Sequence, residues 1–466
     1  MGKKITFGWS MVPVLFLVAA LILTLRFFNG APHIALFFSA VAAAMVAMKF
    51  GYKWQYLEKG IVSMLSNTLP SMLIFCIIGM VIGVWMLAGV VPTMIYYGLM
   101  IVSPKYFLFT SCLICCIVSL STGSSWTTVG TVGIALIGMG HGLGVPLPMV
   151  AGAIVSGAYF GDKMSPLSDT TNLAPASAGC GLFEHISHML YTSGPSIVIA
   201  LIMFFAMGMK YGSTQVDSSA VDALLLDING AFVITPVLLL PPVLIIIIVI
   251  KKIPAIPGLA SGVLLGAVFA YFVQGKGMTD IIAAMHYGFL ANTGNEVLDE
   301  LLTRGGLDAM MWPLSLVFMS LSFAGVMERS GMVQAIADVI LSMAKSTGAM
   351  ILSTVLTCIG VNVLTGDQYL SIVFTGEMYK KAYRDKGLHA KNLSRTLEDS
   401  GTLSSPMIPW NACAVFMAST LGVPTAAYVP FAFFNLINPV IAVIYGYTGI
   451  TIAKAEPAEE RAMDIK

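Results

Sequence analysis

Long uncharged apolar runs dominate the sequence. Four of them, 11–25, 71–88, 196–209 and 233–250, contain no Asp, Glu, Lys or Arg. The runs do not alternate between polar and apolar residues, as the strands of a transmembrane β-barrel would. They suit helices of about 20 residues that cross a hydrocarbon core about 30 Å thick. The pattern predicts an all-α polytopic membrane protein.

Composition supports this fold class. Of the 466 residues, 57% are hydrophobic and only 10% are charged, whereas a soluble globular chain carries roughly 25% charged residues. Disorder is excluded by the same apolar content. The formal net charge of +1 excludes a nucleic-acid-binding protein, which needs a basic surface.

Three motifs occur twice in the same order, which predicts a duplicated unit. The motif pairs lie 242, 243 and 240 residues apart. They are Gly83–Gly89 with Gly325–Gly331, Ser119–Trp126 with Asn362–Tyr369, and Ser165-Pro166 with Ser405-Pro406. We therefore expect a first repeat over 1–211, an external linker over 212–231, a second repeat over 232–450 and a cytoplasmic tail over 451–466.

The distribution of Lys and Arg predicts that the two repeats have opposite orientations in the membrane. Short basic loops stay cytoplasmic, which places Lys3 and Lys4 at the N-terminus, and the basic segment 380–395, on the inside. The equivalent segment of the first half, 140–146, is uncharged and is expected outside. Inversion requires an odd number of membrane crossings in each half, and five crossings plus one re-entrant hairpin per half meet that requirement. Inverted repeats with interrupted helices are typical of secondary transporters.

Four polar clusters interrupt the apolar segments and form the candidate site. Unsatisfied polar groups in hydrocarbon cost several kcal/mol, so such clusters need a reason. The clusters span 119–128, 161–172, 362–369 and 398–411. Intramembrane carboxylates are functional candidates, and Asp162, Asp169 and Asp367 are our candidates for cation and proton coupling.

The other candidates are oxygen-bearing side chains, because hard cations prefer oxygen ligands. For substrate or ion binding these are Thr122, Ser124, Ser125, Ser165, Thr170, Thr171, Asn172, Asn362, Thr365, Ser404, Ser405 and Asn411. We expect Na⁺ at Asp169, Asn172, Thr122 and Asp367. Glu398 and Asp399 join the binding candidates, although both also suit helix-start acids beside the basic loop.

Alternative structural roles remain open for some of these groups. Asp162 could pair with its neighbour Lys163 at a membrane boundary. His185 and His188 suit an interfacial helix whose polar residues face lipid headgroups, with cytoplasmic pH sensing as the alternative. No intramembrane Arg is evident from the sequence as an anion clamp.

The segment from Gly161 to Pro175, Gly-Asp-Lys-Met-Ser-Pro-Leu-Ser-Asp-Thr-Thr-Asn-Leu-Ala-Pro, resembles the signature of the NhaC family of bacterial sodium/proton antiporters. That family also includes sodium- and proton-coupled malate/lactate exchangers. The resemblance implies Na⁺-coupled antiport in a bacterial plasma membrane, and it does not separate the two substrate types. The duplicated layout extends it over almost the whole chain.

Function is therefore expected to be Na⁺/H⁺ exchange by alternating access, with organic-acid exchange coupled to Na⁺ and H⁺ as the alternative. An aspartyl protease is disfavoured because Tyr159 stands where such sites carry the first Gly of Gly-x-Gly-Asp, and a channel is disfavoured because inverted repeats suit rocking between two states better. We expect no enzyme activity and no cofactor; the partners are Na⁺, H⁺, small carboxylates and the bilayer. Amphipathic stretches 52–68 and 279–304 leave a homodimer open.

Overall fold

The computed structural model describes residues 2–28, 30–101, 103–213, 218–251, 253–294, 298–299, 302–342 and 344–455. Within these ranges nearly the whole chain is helical. The β pairing in the same ranges consists of two isolated bridges, Phe289 with Arg304 and Leu388 with Lys454. The predicted all-α class is therefore confirmed.

Helices of the first half are numbered in chain order. They are α1 (Phe7–Ile22), α2 (Pro32–Lys49), α3 (Trp54–Leu87), α4 (Val90–Ile101), α5 (Pro104–Thr122), α6 (Ser125–Thr128), α7 (Ile134–Gly142), α8 (Leu147–Met164), α9 (Asp169–Ala178) and α10 (Leu182–Ser213). A π-helical turn, Val129–Gly133, joins α6 to α7.

Helices of the second half continue the numbering. They are α11 (Ser218–Ala231), α12 (Leu240–Ile250), α13 (Ala255–Phe272), α14 (Met278–Tyr287), α15 (Met311–Arg329), α16 (Met332–Ser342), α17 (Thr347–Thr365), α18 (Gln368–Asp385), α19 (Ala390–Leu397), α20 (Ala412–Leu421), α21 (Thr425–Tyr428) and α22 (Phe433–Thr448). A π-helical turn, Glu398–Thr402, continues α19.

Eight helices of the described chain are long and apolar enough to cross a membrane. Two helix pairs, bent by 94° and 86°, raise the number to ten if each pair is one crossing. The chain is a multi-pass membrane protein. Five crossings plus a re-entrant hairpin per half, and the inversion of the halves, remain predictions.

Helix α3 differs from the sequence expectation. The amphipathic stretch 52–68 and the span 70–90 form one helix of 34 residues that passes through Pro70. Proline removes one backbone donor, but α3 packs against both α13 and α15, and these contacts hold it helical. In the other amphipathic stretch, 279–304, α14 extends to Tyr287, and the described residues 298, 299 and 302 are also helical; the homodimer remains a prediction.

The basic segment 380–395 is also more ordered than a loop. Its first part is the end of α18, its last part is in α19, and Arg395 is fully buried. The expected linker 212–231 contains helix α11, while its residues 214–217, and 456–466 of the expected tail, lie outside the described residues.

Two helix breaks in the two halves have the same local geometry. Helices α5 and α17 are each 19 residues long and end at glycines with positive φ, Gly123 (φ 67°) and Gly366 (φ 66°). The next residue of each, Ser124 or Asp367, caps the following helix by accepting a hydrogen bond from a backbone N–H. This conformation favours glycine because it has no Cβ.

Candidate functional site

A cavity of about 500 Å³, which we call the central cavity, lies where the two breaks of the first half meet the break after α17. Its walls come from α3, the α5–α6 turn, the end of α8, the start of α9, the α12–α13 loop and the start of α18. The polar lining consists of Ser71, Thr122, Ser124, Thr127, Asp162, Ser168, Asp169, Thr170, Gln368 and Tyr369. Two carboxylates and several hydroxyl oxygens therefore share one space.

Asp162 is held in the wall of the central cavity by the break after α5. Its Oδ2 atom accepts hydrogen bonds from the backbone N–H of Ser125 at 3.0 Å and from the Ser125 hydroxyl at 2.6 Å. The side chain is buried. Charge-assisted bonds of this kind orient a carboxylate firmly. The pairing of Asp162 with its chain neighbour Lys163, which the sequence left open, does not occur.

Asp169 is the first residue of α9 and lines the central cavity with an exposed side chain. The turn before it is closed by Ser168, whose hydroxyl caps α9 and lies 3.1 Å from the Thr170 hydroxyl. Pro166 interrupts the chain between α8 and α9, so Asp162 and Asp169 approach the same cavity from two separate helices.

Three further candidates in this break hold the chain rather than line the cavity. The Thr171 hydroxyl donates to the carbonyl oxygen of Lys163 at 2.9 Å, and Ser165 Oγ accepts from the N–H of Leu167 at 3.3 Å. The exposed Asn172 amide donates to carbonyl oxygens of its own turn, those of Pro166 at 2.9 Å and Ser168 at 2.7 Å. Asn172 is outside the cavity lining, apart from the other expected Na⁺ ligands.

The second half contributes a hydrogen-bonded network beside the central cavity. Asn362 donates from Nδ2 to Ser404 Oγ at 2.9 Å and accepts at Oδ1 from Asn411 Nδ2 at 3.2 Å. The Ser405 hydroxyl donates to Gln368 Oε1 at 3.1 Å. The predicted residues Asn362, Ser404, Ser405 and Asn411 are therefore together, and Gln368 connects them to the cavity.

The remaining two candidates of the third cluster act locally. Asp367 accepts from the N–H of Leu370 at 2.8 Å, and the Thr365 hydroxyl donates to the carbonyl of Val361 at 2.8 Å. Asp367 precedes the cavity-lining pair Gln368 and Tyr369. Of the four expected Na⁺ ligands, the structure brings Thr122 and Asp169 to the cavity and places Asp367 next to it.

A buried ion pair lies on another side of α8. The ammonium group of Lys163 contacts Asp399 Oδ1 and donates to Asn438 Oδ1 at 3.1 Å. Thr192 also donates to Asp399, at 2.9 Å, and Arg395 Nε is 4.0 Å from Asp399 Oδ2. Helices α8, α10 and α22 and the π turn after α19 thus meet at one ion pair.

Glu398 and Asp399 are fully buried, and they lie inside a continuous helical segment instead of at a helix start. Neither carboxylate oxygen of Glu398 has a hydrogen-bond partner among the described residues. Arg395, which the sequence assigns to the basic loop, is also fully buried, because it lies in α19. Its guanidinium donates to the Thr451 hydroxyl at 2.9 Å.

The histidines do not face lipid headgroups either. His185 and His188 are buried in the first turns of α10. His185 Nδ1 lies 2.6 Å from the Ser394 hydroxyl, and His188 Nε2 lies 3.2 Å from Asn392 Oδ1. Both therefore connect α10 to α19, and the headgroup-facing role does not apply.

An aromatic stack closes one wall of the central cavity. Trp126, which lines the cavity, stacks on Phe416 with ring centroids 4.4 Å apart and an interplanar angle of 5°. Phe75 contacts both rings edge-on, at 5.3 Å and 5.2 Å. The stack joins α3, α6 and α20, and sequence reasoning did not single it out.

The sequence of this chain resembles those of known transporters over nearly its full length. The Na⁺/H⁺ antiporter family matches residues 157–450. The Na⁺/H⁺ antiporter NhaC of Alkalihalophilus pseudofirmus is 41% identical and covers 98% of each chain. The NhaC of Bacillus subtilis is 38% identical over 96% of this chain and 98% of its own length. A malate-2H⁺/Na⁺-lactate antiporter of Bacillus subtilis is 40% identical, over 95% and 94%.

Proposed function

The chain belongs to the Na⁺/H⁺ antiporter family, and we propose that it exchanges Na⁺ for H⁺ across a bacterial plasma membrane by alternating access. The membership confirms the resemblance read from residues 161–175. Two of the relatives are named Na⁺/H⁺ antiporters, and their matches cover almost this entire chain. The relatives are transporters, which favours a transporter over an enzyme here.

The observation that carries the proposal is the composition of the central cavity. Asp162 and Asp169 reach it from the two sides of the α8–α9 break, and hydroxyl oxygens of Thr122, Ser124 and Thr170 line it as well. Hard cations bind such carboxylate and hydroxyl oxygens. The carboxylates of the cavity would neutralise the charge of a dehydrated Na⁺ bound here.

Coupling follows if Na⁺ and H⁺ compete for the same carboxylates. A carboxylate that holds Na⁺ must be ionised, whereas one that holds H⁺ is neutral, so each ion displaces the other. We assign this exchange to Asp162 and Asp169. Asp367, at the equivalent break of the second half, is the third candidate. Na⁺ and H⁺ then cross the membrane in opposite directions.

The cavity also suggests which state the structure represents. Its lining includes Ile253, Pro254 and Ala255, directly after the basic pair Lys251-Lys252. Basic loops are cytoplasmic by the positive-inside rule. We therefore propose a cytoplasmic N-terminus, a cavity that opens inwards, and two inverted halves, 1–211 and 232–450, that rock about it.

Organic-acid exchange is the second candidate function. The volume of about 500 Å³ is far more than one dehydrated Na⁺ fills, and it accommodates a small carboxylate. Helices α9 and α18 both begin at the cavity, and helix N-termini attract anions. The relative named as a malate/lactate antiporter is as similar as the named Na⁺/H⁺ antiporters.

Transport by purified protein in proteoliposomes tests both candidates. Na⁺, Li⁺ and K⁺ are supplied separately while a pH-sensitive dye follows lumenal protons, and labelled malate and lactate uptake is measured in parallel. We expect Na⁺ alone to move protons, Asp162→Asn and Asp169→Asn to abolish that movement, and the exposed Asp385→Asn to retain it. Proton movement that requires malate or lactate would favour the second candidate. Undiminished exchange by Asp169→Asn would remove this residue from the mechanism.

A further inference from the structure

A second cavity, of about 560 Å³, lies at the opposite ends of the helices that begin at the central cavity. We call it the basic cavity. It is bounded by the C-terminal ends of α9 and α18, the loop before α10 and the start of α19. The acidic and basic lining residues are Glu184, Glu377, Lys380, Lys381, Arg384 and His389, and the apolar wall includes Ala178, Leu388, Ala390 and Leu393.

The charges of the basic cavity do not balance. Glu184 is already paired, with His389 at 3.4 Å and with Lys391 at 3.5 Å. The remaining lining has three cations, Lys380, Lys381 and Arg384, against one acid, Glu377. A surplus of two positive charges therefore faces the space. Three cationic side chains on one helix repel one another unless an anion lies between them.

The membrane-spanning helix α10 begins at the mouth of the basic cavity. Phe183, between the lining residues Gly181 and Glu184, is 75% exposed. From there an exposed apolar stripe runs along the membrane-spanning helix α10 through Leu190, Tyr191 and Val198. An exposed aromatic residue at the start of such a stripe is typical of the boundary between headgroups and acyl chains.

We propose that the basic cavity binds the phosphate headgroup of an anionic phospholipid, with the acyl chains along the exposed stripe of α10. Lys380, Lys381 and Arg384 are the phosphate-binding residues. Basic pockets between helices near the cytoplasmic surface suit such headgroups, and Arg provides a planar fork of donors that matches phosphate. A soluble anion would use the same cations, and competition in the binding experiment separates the two sources.

The end of α9 leaves room for one of the three cations. A side chain at Gly179 would contact the ammonium group of Lys380, so the absence of a Cβ there lets Lys380 approach the end of α9. Gly179 has φ 89° and ends α9. Lys380 thereby lies beside the C-terminal end of α9 as well as the cavity, and this is the favourable end of a helix for a cation.

Binding of a labelled anionic lipid tests the proposal independently of transport. Delipidated full-length protein in a non-ionic detergent is titrated with fluorescent cardiolipin. The charge-removing variant is K380Q/K381Q/R384Q. The matched control, K53Q/K59Q/K251Q, removes three exposed charges that are predicted on the same side of the membrane and lie outside the cavity.

We expect saturable cardiolipin binding that phosphatidylcholine does not displace. At about fivefold per cationic contact, the triple variant should weaken binding about a hundredfold, and the control should stay close to the wild type. Equal binding by both triple variants would overturn the proposal. Displacement of the lipid by inorganic phosphate or ATP at low concentration would assign the cavity to soluble phosphates instead. If the triple variant does not elute as a single species, K381Q and R384Q alone should each weaken binding about fivefold.

Discussion

Asp162 and Lys163 are neighbours in the chain, but their side chains bind on different sides of α8. Asp162 accepts two hydrogen bonds from Ser125 in the wall of the central cavity. Lys163 contacts Asp399 and Asn438, away from it. Successive residues of a helix are about 100° apart, so the last turn of α8 presents the carboxylate and the ammonium group to separate neighbours.

The buried ion pair gives an asymmetric prediction. Asp399 is the only anion in direct contact with both Lys163 and Arg395 among the described residues. Asp399→Asn leaves two buried cations without a contacting anion and should lower the free energy of unfolding by about 3–5 kcal/mol. Lys163→Met should cost less, because Arg395 and Thr192 still contact Asp399.

Equilibrium unfolding in mixed micelles measures these differences. The loss in free energy of unfolding for the double variant K163M/D399N should be smaller than the sum of the losses for the two single variants, because the ion pair is counted in both single variants. The exposed pair Lys4 and Asp338, 3.7 Å apart, is the control, and Lys4→Met should change stability by less than about 1 kcal/mol. Additive losses at Lys163 and Asp399 would contradict a working ion pair.

Ser125→Ala tests the positioning of Asp162. The variant removes the 2.6 Å hydroxyl bond and keeps the backbone N–H bond. A hydrogen bond to a charged group contributes about 1.5–3 kcal/mol, so the apparent Na⁺ affinity in the proton-movement assay should fall at least about tenfold. Ser121→Ala is the control, because its exposed hydroxyl bonds only to Ile117 of the same helix. An unchanged affinity would show that Ser125 does not position Asp162.

The glycines at the two breaks should not tolerate a side chain. In Gly123→Ala and Gly366→Ala, the alanine must adopt the left-handed conformation of the native glycine, which costs roughly 1–2 kcal/mol. The new Cβ would contact Leu167 in the first variant and Ser320 in the second. Both variants should lower thermal stability and the transport rate. Gly360→Ala, in the interior of α17 with no atom near its Cβ position, should instead be neutral or stabilising by up to about 1 kcal/mol.

Trp126→Ala should open the wall between the central cavity and α20. The variant loses the ring stacked on Phe416, whereas Trp126→Phe keeps an aromatic ring there. Cys413, in the first turn of α20, is 1% exposed and reports on the opening. In a Cys76→Ala, Cys180→Ala background, we expect fast labelling of Cys413 by a membrane-impermeant thiol reagent only in Trp126→Ala. Slow labelling in every variant would mean that the stack is not a barrier.

Much of the candidate site could be predicted from the sequence, because polar residues and helix breakers are conspicuous in apolar segments. The breaks at Gly123, Pro166 and Gly366 were expected, and the structure brings the first two together with the start of α18 around one cavity. The NhaC resemblance pointed to the same segments and to the family.

The partners across the fold could not be predicted. Lys163 and Asp399 are separated by 236 residues, and periodicity assigns a face to each residue but not the residue that it meets. Arg395 was misassigned for the same reason: a run rich in Lys and Arg indicates a loop, and only the packing of α19 against α10 and α18 shows that one of its cations points inwards.

Helices α9 and α18 run side by side in the same direction, with Gly376 of one lying against Ser177 of the other. Their first residues line the central cavity and their last turns line the basic cavity. Ten residues of α9 span about 15 Å, so one short helix connects the two cavities. A tilt of α9 caused by phospholipid binding at the basic cavity would displace Asp169 at the central cavity. The turnover rate would then depend on the phospholipid composition of the surrounding bilayer.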